Sequence, residues 1–151
     1  MDELLKVAKS QIGTEEQPIG SNWGDKVKEY LASAAVHSPA PWCMAFVCWC
    51  FRTAFPAERK FPTTASCTFL LNWAKEQGKI VKQPKPGDVF LLLRLGGKTA
   101  FHTGIVGGVG SVNIYTIEGN SNASGSPEGY EVLSRIRRWR WARVAFVRID
   151  P

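Results

Sequence analysis

The run Trp42-Cys43-Met44-Ala45-Phe46-Val47-Cys48-Trp49-Cys50-Phe51 constrains this chain more than any other, because the helix it would form is apolar on almost every side. A helix of that kind is a buried one, and the rest of the chain has to cover it. Pro41 suits its start and Pro56 closes it, which gives a helix over about 42–55. Leu4, Leu5, Ala8 and Ile12 recur at helical spacing before it and stop at Gly13. Ser21-Asn22 caps a second helix through about Leu31, with Trp23, Val27, Tyr30 and Leu31 as its apolar stripe. A further helix over about 66–77 carries Phe69, Leu70, Trp73 and Ala74 and ends at Gly78. From Pro86 the texture turns to β, with strands expected at 88–95, 102–109, 112–118, 130–138 and 143–149 between Gly, Asn and Ser turns. Helices first and consecutive strands afterwards predict an α+β domain, with N-terminal helices and an antiparallel sheet. The length and the 44% hydrophobic content fit a single domain over 1–151.

Cys43 falls in the first turn of the apolar helix, where unpaired N–H groups and the positive end of the dipole favour thiolate over thiol. A thiolate nucleophile needs a base, and the chain has two histidines. His102 precedes Thr103-Gly104-Ile105-Val106 and would begin a strand, whereas His37 sits in the loop-like Val36-His37-Ser38-Pro39. The strand Tyr115-Thr116-Ile117-Glu118-Gly119-Asn120 ends in an acid and an amide. Either Glu118 or Asn120 could accept the far imidazole N–H and fix the ring. Trp42 and Asn122 flank these positions as candidate substrate contacts, and the loop 120–127 is a candidate rim.

Five segments in order carry a family resemblance: Gly13-Thr14-Glu15-Glu16-Gln17-Pro18-Ile19-Gly20-Ser21-Asn22, Pro41-Trp42-Cys43-Met44-Ala45-Phe46-Val47, Pro86-Gly87-Asp88-Val89, His102-Thr103-Gly104-Ile105-Val106 and Ile117-Glu118-Gly119-Asn120. Together they resemble the CHAP domain, a branch of the papain-like cysteine, histidine-dependent amidohydrolases and peptidases that cleave peptidoglycan. The resemblance implies a papain-like fold with the cysteine helix packed against the sheet that bears the histidine. It implies Cys43 as nucleophile, His102 as general base and Glu118 as orienter, with Asn120 at a further polar position of the same site. Glu16 matches an acid that precedes the Ser-Asn pair. The substrate so implied is peptidoglycan, cut at the muramoyl-to-L-alanine amide or at a stem or cross-bridge peptide bond.

The other three cysteines carry no metal or disulfide signature. On a helix, Cys48 stands about 140° around the axis from Cys43 and Cys50 about 10 Å along it, too far for a bridge. Cys67 reads as a helix-start residue. No paired C-x₂-C spacing marks zinc, and Asp25 and Glu29 are too few for the calcium loop that some members carry, so no cofactor or metal is expected.

The net charge of +6 is concentrated in Arg135-Ile136-Arg137-Arg138-Trp139-Arg140-Trp141-Ala142-Arg143, with five arginines and two tryptophans. In one reading the arginines face solvent on alternate positions while Ile136 and the tryptophans pack. In the other the segment binds an anionic polymer, wall or nucleic acid, and the chain is a binding module rather than an enzyme. Specific nucleic-acid binding would leave Cys43, His102 and Glu118 without a role. The acidic start Met1-Asp2-Glu3-Leu4 lacks the pattern of a secretory signal, and no run is long enough to span a membrane. The expectation is a monomer made in the cytoplasm and brought to the wall by lysis, a phage apparatus or a secretion machine, as an endolysin or an effector is. An inhibitor or immunity protein is a possible further partner.

Overall fold

The computed structural model describes residues 1–58, 60–122 and 129–150. Four helices come first: α1 (Asp2–Ser10), α2 (Asp25–Ser33), α3 (Cys43–Ala54) and α4 (Cys67–Glu76). Six strands follow: β1 (Ile80–Val81), β2 (Val89–Leu93), β3 (Ala100–Val109), β4 (Asn113–Ser121), β5 (Glu131–Arg138) and β6 (Val144–Val147). They form one sheet in the order β1-β6-β2-β3-β4-β5, antiparallel at every pairing. The fold is α+β, as the change of texture at Pro86 predicts.

The α3 run behaves as its composition demands. Every residue from Cys43 to Cys48 is buried, as are Cys50 and Phe51, and α3 packs against α1, α2, β3 and β4. Alternation along the strands separates two apolar layers. Val89, Leu91, Ile105, Ile117 and Val147 join the helices in the main core, while Phe90, Val106, Ile114 and Phe146 form a smaller cluster on the opposite face. Close contact between α3 and β4 depends on Gly119, where a Cβ would lie 2.7 Å from Phe46 and 2.8 Å from the Trp42 ring. At this position even alanine would push the helix off the sheet.

Element ends shift by up to three residues from the sequence reading, and two differences matter more. Helix α2 starts at Asp25 with Gly24 at its N-cap, because Ser21 and Asn22 are used in the preceding turn, Ser21 donating to the Pro18 carbonyl and Asn22 at φ 54°. Strand β1 was not expected; it is two residues long and pairs Ile80 with Val147 and Val81 with Phe146.

Candidate active site

Cys43 opens α3 on an end with no side-chain cap, so its first-turn N–H groups remain available to a neighbouring negative charge. Preceding it, Trp42 is fully buried, which corrects its placement as a substrate contact. Its Nε1 donates to Glu16 Oε1 at 2.8 Å and its ring stacks on Tyr30, with centroids 5.6 Å apart. The other Glu16 oxygen accepts the Gly20 N–H at 2.8 Å. Glu16 thus ties the 13–24 loop to the start of α3, and the indole belongs to the core rather than to a surface a ligand could reach.

His102 lies on β3 and Glu118 on β4, both fully buried. His102 Nε2 is 2.8 Å from Glu118 Oε2. Of the two candidates for the orienting position, it is therefore Glu118 that meets the ring. Room for this comes from Gly104, where a Cβ would fall 2.8 Å from Glu118 Cγ and 2.8 Å from Phe90 Cε1. The carboxylate is also gripped by Arg137 of β5, through Nε at 2.5 Å and Nη2 at 2.7 Å, and it accepts from Thr116 Oγ1 at 2.6 Å. Ser121 Oγ lies at 3.4 Å. Burial alone would raise the Glu118 pKa, but the bidentate guanidinium and the imidazole outweigh it and bring the group down to about 2. An ionised carboxylate can only accept, so Nε2 carries a hydrogen.

With Nε2 engaged, Nδ1 is the ring nitrogen left for Cys43, and it has no hydrogen-bond partner among the described residues. The thiol and the ring shift each other strongly. Cys43 falls to about 5 through a contact with Cys67, the interaction with His102 and the Met44 N–H, against the opposing effect of burial. Burial would lower His102, yet Cys43 and Glu118 together lift it to about 9. The directions of the two shifts favour a thiolate beside an imidazolium.

The remaining candidates fall as follows. Asn120, the last residue but one of β4, is fully buried, at φ 52°, and its carbonyl accepts the Gly129 N–H at 3.0 Å. Asn122 is half-buried, and its carbonyl accepts from Arg135. The rest of the proposed rim, residues 123–127, lies outside the described residues. His37 is exposed. Asp88 of the Pro86-Gly87-Asp88 motif is clamped by Arg148 and by the Lys85 N–H. Glu29 pairs with Lys26 at 2.6 Å, and among the described residues no three His, Cys, Asp or Glu side chains are grouped to hold a metal ion.

Three features were not read from the sequence. One is Cys67, whose sulfur lies 3.9 Å from that of Cys43. Another is Arg137: Arg138, Arg140 and Arg143 do face solvent, but Arg135 and Arg137 turn inward, whereas Ile136 and Trp141 are exposed, at 63% and 84%. Trp139 does pack, edge-on against Phe146. The third is the Glu16–Trp42 tie. A signal existed for Arg137 alone, since its register places it on the strand next to the one that carries a buried acid.

A thiol at a helix start, an imidazole on a strand and a carboxylate on the next strand describe the general class of cysteine- and histidine-dependent hydrolases. The sequence model of the CHAP domain matches residues 35–120, which hold all three, and the chain belongs to the CHAP domain family. Members are generally cysteine, histidine-dependent amidohydrolases or peptidases, and the family points to peptidoglycan hydrolysis. Comparison with curated proteins and with solved structures found no match.

Proposed function

We propose that this protein is a papain-like cysteine hydrolase that cuts an amide bond of peptidoglycan, with Cys43, His102 and Glu118 as its catalytic set. The observation that carries this reading is the chain of hydrogen bonds from the Arg137 guanidinium through the Glu118 carboxylate to the His102 ring, which leaves Nδ1 uncommitted beside a cysteine whose pKa the ring lowers. The Cys43 thiolate attacks the amide carbonyl carbon, forming a C–S bond and a tetrahedral oxyanion. Uncapped N–H groups at the start of α3 are the natural donors to that oxyanion. As the C–N bond breaks, imidazolium Nδ1–H protonates the leaving amine. His102, now neutral, takes a proton from water at Nδ1, and the hydroxide opens the thioester and returns the thiolate. Glu118 stays ionised throughout, holding the hydrogen on Nε2 and stabilising the imidazolium.

Two bonds remain within this reading, the muramoyl-to-L-alanine amide and a peptide bond of the stem or cross-bridge. Digestion of purified walls followed by mass spectrometry of the fragments identifies which is cut, because each leaves different termini. Cys43→Ala is expected to fold normally and release no fragments; an active Cys43→Ala protein would overturn the proposal.

A further inference from the structure

Two helices begin at the same point of the molecule. Helix α3 starts with Cys43 and α4 with Cys67, and their sulfur atoms lie 3.9 Å apart, both buried. We propose that Cys67 is a positioning residue for the nucleophile: its S–H donates to the Cys43 sulfur and holds that sulfur as an anion between the starts of the two helices. The proposal deepens the reading of Cys43 as the nucleophile and rests on it.

Several observations place Cys67 there for more than packing. The start of α4 is fixed on both sides of Cys67. On one side Ser66 caps the helix, its Oγ accepting the Phe69 N–H at 3.1 Å. On the other, Thr68 Oγ1 accepts the Ala100 N–H at 3.1 Å and donates to the Ala100 carbonyl at 3.2 Å. Ala100 begins β3, two residues before His102. One clamp therefore sets Cys67 relative to the strand that carries the base, and the sulfur contact sets it relative to the nucleophile.

Either sulfur could act as donor, and the surroundings decide. The His102 ring and the Met44 N–H both favour a negative charge on Cys43, whereas on Cys67 only its own N–H does so. The charged neighbour of Cys67 is Cys43 itself. Two anions at this distance in a buried site would repel strongly, so the pair keeps one proton, on Cys67. The acidities agree: the contact with Cys67 is the largest influence lowering Cys43, and the contact with Cys43 is the largest raising Cys67. Both cysteines are the first residues of their helices, where the positive end of the dipole favours a negative charge.

The test uses the full chain and three variants: Cys67→Ala and Cys67→Val, which lack a donor, and Cys67→Ser, which keeps one. The rate at which iodoacetamide labels Cys43 is followed from pH 4 to 10 by peptide mass spectrometry, with thermal melting to confirm folding. Ala and Val are expected to move the labelling midpoint about one pH unit towards alkali. Labelling would then slow by about tenfold at pH 4 and about fivefold at pH 5 and be unchanged at pH 10, since only the thiolate reacts. The Ser variant is expected to recover most of that loss. A folded Ala or Val variant that labels like the parent at every pH would overturn the proposal, as would a Ser variant no faster than Ala. Labelling needs no wall substrate, so this outcome is separate from that of the Cys43→Ala digestion.

Discussion

The sheet holds two buried carboxylates built almost alike, and they do different work. Asp88, just before β2, accepts two hydrogen bonds from Arg148, at 2.8 and 2.7 Å, and one from the Lys85 N–H at 2.7 Å. Glu118, on β4, accepts two from Arg137, at 2.5 and 2.7 Å, and one from Thr116 at 2.6 Å. Each arginine comes from late in the chain and closes the sheet from one side. The difference that matters is that Glu118 also meets His102, a ring whose pKa is raised by a thiol as well as by the acid. A forked ion pair in a sheet is thus a structural device by default. It becomes part of a reactive site when a titratable group with one end still uncommitted is attached to it.

The sharpest way to break this comparison is to neutralise each acid in turn. Glu118→Gln is expected to lower wall-digestion kcat by about 10²- to 10⁴-fold, since the ring loses the charge that stabilises its protonated form. Asp88→Asn should leave kcat within about twofold while lowering the melting temperature. Equal activity losses at the two positions would mean that the Glu118 cluster is structural as well.

Removing the arginines gives the next largest effect. Arg137→Ala and Arg148→Ala each strand a buried carboxylate, at a cost of about 3 kcal/mol in denaturant unfolding. Only Arg137→Ala should also reduce kcat, by about tenfold, as Glu118 loses part of what keeps it ionised. The acid dependence sharpens this further. Glu118 stands at about 2 in the folded protein against an ordinary 4.5, so its stabilisation is complete above pH 4.5 and is lost as the pH falls towards 2. Arg137→Ala should shrink that loss, as seen by unfolding at pH 2.5 and pH 6.

The smallest effects lie in the pH profile of the unaltered protein. Activity should rise as Cys43 ionises near pH 5 and fall as His102 loses its proton near pH 9, a plateau between the two limbs. A rising limb above pH 7 would contradict a preformed thiolate and imidazolium.

Much of this was legible because it is local. The apolar run of α3 and the change to alternating strands from Pro86 follow from residue periodicity, and Cys43 at a helix start follows from Pro41 and the run after it. What was not legible depends on approach between distant segments. Cys67 is 24 residues from Cys43, and no spacing rule gives the angle between two helices. On β5 the usual logic of alternation pointed the wrong way. It assigns the apolar Ile136 to the inside, but the groups waiting there are the Glu118 carboxylate and the Asn122 carbonyl, so arginines turn inward and the isoleucine outward. Trp42 beside the nucleophile looked like a ligand contact because nothing in the sequence links it to Glu16, 26 residues earlier.

The strand that supplies Arg137 also bears on where this module can be cut. The CHAP match ends at residue 120, within β4, whereas the guanidinium that holds Glu118 comes from β5. A fragment trimmed to the matched segment would keep the thiol, the ring and the acid while leaving that acid without its cation and β4 as a bare edge. The smallest transplantable unit therefore extends at least through Arg138, the end of β5. Chimaeras joined at residue 120 should be insoluble where those joined beyond β6 are not.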